Sequence, residues 1–188
     1  MANLHKFDLQ TLPAMAWKNG GGVTREIVRE PAGTSLDDFD WRVSVADIAA
    51  AGPFSRFVGT DRHLLLLEGD GVNLTSTEAG LDVNLLADDT VLAFSGDVDM
   101  DSQLLGGAVR DFNVMTKRGV WQAQVEVWAE AASIQAQAGL VLQVVRGQET
   151  PQLLRGSDHA PNAVTPPRID EPGEDASSAS EGVKTSSD

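Results

Sequence analysis

A chain of 188 residues with 41% hydrophobic side chains is long enough to bury one substantial core. Its 28 acidic against 14 basic residues give a formal net charge of −14, which disfavours nucleic acid and anionic membrane surfaces as partners. Without cysteine there is no disulfide, no thiolate zinc site and no cysteine nucleophile, and without a long apolar run or a charged-then-apolar leader the expectation is a soluble cytoplasmic protein.

In chain order, Phe7, Leu9 and Leu12 alternate loosely and predict an edge-like first strand. Trp17-Lys18-Asn19-Gly20-Gly21-Gly22 then reads as a tight turn, because glycine tolerates positive φ and close approach of other groups. The turn feeds a β-branched strand from Val23 to about Val28, and Pro31-Ala32-Gly33 with Asp37-Asp38 marks a loop. From Phe39 to Ala46 the pattern alternates strictly, with Trp41, Val43 and Val45 on one face and Arg42, Ser44 and Ala46 on the other. A short helical turn is expected over Asp47 to Ala51, ended by Gly52-Pro53. The leucine-rich run from Arg62 to Glu68 closes on Gly69-Asp70-Gly71 and reads as a hairpin with Val72-Asn73-Leu74. Short strands follow near Leu81–Val83, Thr90–Phe94 and Leu104-Leu105, then longer ones over Val109–Thr116 and Trp121–Trp128. Ala129 to Ala138 suits helix or strand equally, and Leu140 to Val145 is the last clear strand.

From about Ser157 the composition changes to four prolines, six serines and seven acidic residues against two basic ones. Such a segment cannot bury enough apolar surface to offset its ordering entropy, so residues 157–188 are expected to be a disordered acidic tail behind a folded unit at 1–156. Many short strands joined by glycine-rich turns predict an all-β barrel or sandwich.

Three blocks carry a family resemblance: Trp17 to Ile27, Phe39 to Ala46 with Gly52-Pro53-Phe54-Ser55-Arg56-Phe57, and Leu105 to Met115. With Leu66-Leu67-Glu68-Gly69 between them in order, the chain resembles the HutD/Ves family from about residue 12 to about residue 120. The resemblance implies a cupin-like β-barrel, a bicupin or RmlC-like jelly roll with two small lobes. It also implies a role in the control of histidine utilisation, through sensing of a pathway intermediate. Beyond about residue 128 the likeness fades into Gly147-Gln148-Glu149-Thr150-Pro151, which leaves the second lobe short of closing strands.

Cupin metal sites commonly use a His-x-His pair with a carboxylate, but this chain has only His5, His63 and His159, so no metal or other cofactor is expected. His63, in phase with Leu65 and Leu67, reads as a packed or rim histidine. Ser44 and Ser55 lack a neighbouring histidine and a Gly-x-Ser-x-Gly elbow, and the glycine cluster fits neither phosphate-loop pattern. What remains is a set suited to a carboxylate ligand: Lys18, Asn19, Gly20, Gly21 and Thr24 at the glycine turn, Arg42 and Ser44 on one strand, and Arg110, Asp111 and Asn113 on another. Arg42, Arg110 and Asp111 can equally serve as ion pairs between strands. Asp47, Asp61 and Arg62 read as turn or rim residues, and Trp17, Trp41, Phe54 and Phe57 as core.

The reading is therefore a non-catalytic binding protein for a small carboxylate-bearing metabolite, with urocanate or formiminoglutamate implied by the resemblance. The alternative is a metal-free isomerase or hydrolase acting on a sugar or amino-acid derivative, with Asp111 or Lys18 as general acid or base. Exposed edge strands leave pairing into a homodimer open.

Overall fold

The computed structural model describes residues 3–6, 8–88, 90–125, 127, 140–143 and 152–155. These form β1 (Asn3–Lys6), β2 (Ala14–Ala16), β3 (Gly22–Glu30), β4 (Trp41–Ile48), β5 (Gly52–Phe54), β6 (Thr60–Glu68) and β7 (Val72–Ser76). They continue with β8 (Leu81–Leu85), β9 (Leu92–Ser95), β10 (Met100–Leu104), β11 (Val109–Lys117), β12 (Leu140–Gln143) and β13 (Gln152–Arg155). No helix occurs among the described residues.

The strands assemble into a six-stranded sheet in the order β2-β3-β4-β11-β6-β9, a four-stranded sheet β5-β10-β7-β8 and a three-stranded sheet β1-β13-β12. The two larger sheets meet face to face. Ile48, Leu64, Leu66 and Val109 from the first pack with Val72, Leu74, Leu85 and Met100 from the second in one buried cluster. The protein is an all-β, cupin-like jelly roll whose sheets stay open rather than closing into a barrel. Strands β2 to β11 build this single roll, and β1, β13 and β12 form the third sheet.

The alternation in β4 takes the expected form, yet this strand is buried on both faces. Trp41, Val43 and Val45 join Leu9, Ile27, Leu65 and Phe112 in a second cluster on the outer side of the six-stranded sheet. Central strands covered on both sides lose the polar face that a half-exposed strand keeps.

Several local expectations are corrected. The segment after Asp47 is not helical: β4 runs through Ile48, and the amides of Ala49 and Ala50 donate to the Gly21 carbonyl at 2.8 and 3.1 Å. Gly52-Pro53 opens β5 instead of ending a helix. Gly69-Asp70-Gly71 is a corner and not a hairpin, because β6 pairs with β11 and β9 whereas β7 pairs with β10 and β8. Residues 121–125 and 127 are not strand; the Trp121 amide donates to the Lys117 carbonyl at 3.0 Å, and Val125 and Val127 cover the outer cluster. The first strand is divided into β1 and β2 around a turn in which the Thr11 amide donates to the Asp8 carbonyl. Phe7, Trp128, the stretch 129–138, Val144-Val145 and the tail 157–188 lie outside the described residues.

At the corner Gly69 adopts φ +104, and a Cβ there would lie 2.7 Å from Val109 Cγ1 and 2.8 Å from the Ala108 carbonyl oxygen. Gly69→Ala should therefore cost about 1–3 kcal/mol in urea unfolding. Gly80→Ala, at φ +60 with nothing within 4 Å of the new methyl, should cost only about 1–2 kcal/mol.

Candidate functional site

The inner face of the six-stranded sheet is built in rows set by strand register. Nearest the Trp41 end of β4, one row reads Arg29 (β3), Arg42 (β4), Met115 (β11), Arg62 (β6) and Phe94 (β9). The next reads Glu26, Ser44, Asn113, Leu64 and Leu92, and the third Thr24, Ala46, Asp111 and Leu66. A bulge at Ile27 makes the first two rows compatible, since Glu26 and Arg29 are three residues apart and would otherwise face opposite sides. The last row, Gly22, Ile48 and Val109, runs into the apolar core.

Three arginines abreast on an inward face require compensation. Arg42 Nε donates to Glu26 Oε2 at 2.7 Å, and Arg29 Nε lies 3.3 Å from Glu26 Oε1. Among the described residues Arg62 has no carboxylate within ion-pair distance; Nη1 donates to the Ser55 carbonyl at 3.2 Å, and the guanidinium sits 4.9–5.6 Å from the rings of Phe94, Phe57 and Phe54. Burial lowers the Arg62 pKa to about 10, with Asp111 opposing the shift and Arg42 adding to it. It stays charged at neutral pH. Burial drives the Asp111 carboxyl the other way, up to about 7, against the opposing pull of Arg62 and a hydrogen bond from the Ala46 amide.

Arg42, Ser44, Arg62, Asp111 and Asn113 are all buried. Three of their polar atoms, Arg62 Nε, Asp111 Oδ1 and Asn113 Oδ1, have no hydrogen-bond partner among the described residues. Each such atom carries a desolvation penalty of about 1–3 kcal/mol. Exposure rises toward β3, where the Glu26 and Arg29 side chains are each 21% accessible against 5% for Arg42.

Of the residues singled out in the sequence, Arg42, Ser44, Asp111 and Asn113 come together here, with Thr24 at the margin. Trp17 Nε1 donates to Thr24 Oγ1 at 2.8 Å. The glycine turn serves the fold. Asn19 Oδ1 accepts from the Gly21 amide at 3.0 Å, Gly20 adopts φ +72, and a Cβ on Gly22 would meet the Asp47 carbonyl at 2.5 Å. Lys18 is exposed on this turn, at the Ile48 end of β4. Six residues of strand separate that end from Arg42, or roughly 20 Å at about 3.3 Å per residue.

Arg110 points to the outer face. Its Nε donates to Asp47 Oδ1 at 2.6 Å and its Nη1 to Glu68 Oε1 at 3.3 Å, while Arg25 holds Asp47 Oδ2 at 2.6 Å. Burial pushes the Asp47 carboxyl up, but these arginines outweigh it and hold the group below its usual value. Ion pairs between strands form at Arg110 and also at Arg42, which holds Glu26 on β3, whereas Asp111 makes none among the described residues.

Arg62, Arg29 and Glu26 were not among the sequence candidates. Arg62 is no rim residue, and its signal was its phase: it alternates in step with Leu64 and Leu66, both fully buried. Among the described residues no group of three His, Asp or Glu side chains is placed to hold a metal ion, and no helix is long and apolar enough to cross a membrane.

The HutD family model matches residues 9–161. A protein of Pseudomonas putida described as an uncharacterized 21.2 kDa protein in the hutC 3' region is 39% identical over 142 residues, 76% of this chain and 73% of that one. Protein Ves of Escherichia fergusonii is 37% identical over 142 residues, 75% of this chain and 72% of its own length. The solved structure of HutD from Pseudomonas fluorescens SBW25 superposes with a TM-score of 0.65 at 29% identity, covering 81% of this chain and 86% of that one. With a similar jelly roll and a family match spanning most of its length, the chain belongs to the HutD family.

Proposed function

We propose that the protein is a non-catalytic binding protein that senses a small carboxylate-bearing metabolite, urocanate or formiminoglutamate, in the cytoplasmic control of histidine utilisation. The observation that supports this most is the register row of Arg29, Arg42 and Arg62, backed by unpartnered polar atoms on Arg62, Asp111 and Asn113. Arginine presents a planar fork of donors that matches a carboxylate, and in a buried setting that pairing is strong. In this reading Arg42 and Arg62 hold the carboxylate, Ser44 and Asn113 orient the ligand, and Asp111 receives its nitrogenous end. Thr24 and Glu26 stand at the entrance. Lys18, Asn19, Gly20 and Gly21 shape the turn and Arg110 the outer ion pairs, outside the binding set. The genomic setting named for the Pseudomonas putida relative agrees with a link to histidine utilisation.

The pKa of Asp111, near 7, favours a second reading, in which the same face performs metal-free isomerisation or hydrolysis with Asp111 as general acid or base. Turnover lost in Asp111→Asn while binding persists would select it.

Calorimetry separates the two uses of the face. One of the two ligands should bind the wild type, and Arg42→Ala should weaken it by about 10- to 100-fold, the worth of a charged hydrogen bond. Lys18→Ala should leave it unchanged. No heat from either ligand, or equal losses in both variants, would sink the proposal.

Asp111 also sets a pH dependence. Its folded pKa lies above the unfolded value of 3.8, so as pH rises the unfolded chain ionises first. Its contribution to stability therefore falls between about pH 4 and pH 7 and is level above that. Asp111→Asn removes this term, and thermal melts should show the variant gaining on the wild type as pH moves from 5 to 8.

A further inference from the structure

A cavity of about 340 Å³ lies on the outer side of the six-stranded sheet, on the face opposite the arginine row. Strand alternation places Thr116, Asp61, His63 and Ala93 on that side, and Gln122 and Ala123 close over it from the segment after β11. The volume falls within the range of small-molecule sites, about 300–1,000 Å³, and far exceeds the roughly 30 Å³ share of one water.

Two polar atoms in its lining are buried without a partner: Thr116 Oγ1, on a residue only 5% exposed, and His63 Nδ1. An orphaned hydroxyl and an orphaned ring nitrogen beside an open space are the signature of hydrogen bonds supplied by something else. Charge narrows the occupant. Asp61 Oδ1 accepts from Arg118 Nε at 2.8 Å, so its carboxylate is already matched. Burial lowers the pKa of His63, with Asp61 opposing, which leaves a neutral imidazole near pH 7. Arg62 and Phe94 also border the cavity, but strand alternation turns their side chains to the inner face, so among the described residues no unmatched charged side chain points into it. An anion finds no free cation here, and a cation no free carboxylate.

We propose that this cavity binds a small uncharged cyclic amide, whose adjacent N–H and C=O meet Thr116, His63 and the Gln122 amide while its ring lies against Ala93 and Ala123. Thr116 Oγ1 both donates and accepts, neutral His63 does one or the other at Nδ1 according to its tautomer, and Gln122 supplies a complementary amide pair. The site lies across the sheet from the arginine face, sharing the strand positions of Arg62 and Phe94 with it but none of the side-chain contacts proposed here.

Uracil and 2-pyrrolidinone, titrated into the full chain with succinate as the charged control, give a direct test through the His63 ring resonances in NMR. At least one lactam should shift them saturably in the millimolar range. Thr116→Val should weaken the shift by about three- to tenfold, the worth of one neutral hydrogen bond. Arg42→Ala should leave it intact. Thr116→Val exchanges a partnerless hydroxyl for a methyl of the same shape, so its melting temperature should equal or exceed that of the wild type. No shift from either lactam, an equal shift from succinate, insensitivity to Thr116→Val, a lowered melting temperature in that variant, or loss of binding in Arg42→Ala would each overturn the proposal.

Discussion

The pairing of β3, β4, β11 and β6 is the constraint on which the rest of the site depends. It sets Arg29, Arg42 and Arg62 in one row on an inward face, with Met115 between the last two. Taking guanidinium groups out of water is expensive, and a sheet tolerates it only where carboxylates, carbonyls or aromatic faces stand in for the lost hydration. Glu26 does this for Arg42, and three phenylalanine rings with the Ser55 carbonyl do it for Arg62. The compensation is incomplete at Arg62 Nε, which is buried with no hydrogen-bond partner among the described residues.

The interior is divided along the strands. At the Ile48 and Val109 end the two sheets interdigitate through leucine, isoleucine, valine and methionine, and this apolar half carries the stability of the roll. At the Arg42 and Met115 end polar groups replace them. Asp111 and Asn113 occupy the boundary, two and four residues along β11 from Val109.

Charge is handled differently on the two faces of the same sheet. On the outer side Asp47 bridges Arg25 and Arg110, and Asp97 and Asp61 engage Arg118, so acidic and basic groups are matched at partly exposed positions. On the inner side cations exceed carboxylates, and one of those carboxyls, Asp111, titrates near neutrality. An excess of buried cations on one face stands against a net charge of −14 for the whole chain, and it is this face that the proposed carboxylate ligand would neutralise.

Period-two alternation is local, so the sequence alone determined which residues of β4 share a face: Trp41, Val43 and Val45 against Arg42, Ser44 and Ala46. The same rule joined Asp111 to Asn113, and applied to neighbouring residues it already separated Arg110 from Asp111. Which strands lie side by side was decided by long-range pairing, which no local pattern encodes. Hence Lys18 proved distant from Arg42, Gly69-Asp70-Gly71 turned between sheets rather than within one, and Arg62 moved from an apparent rim to a buried place in the cationic row. The bulge at Ile27, which brings Glu26 and Arg29 onto one face, likewise appears only when β3 is laid against β4. Periodicity gives each strand two faces, and the partners it finds in three dimensions decide which of them is buried.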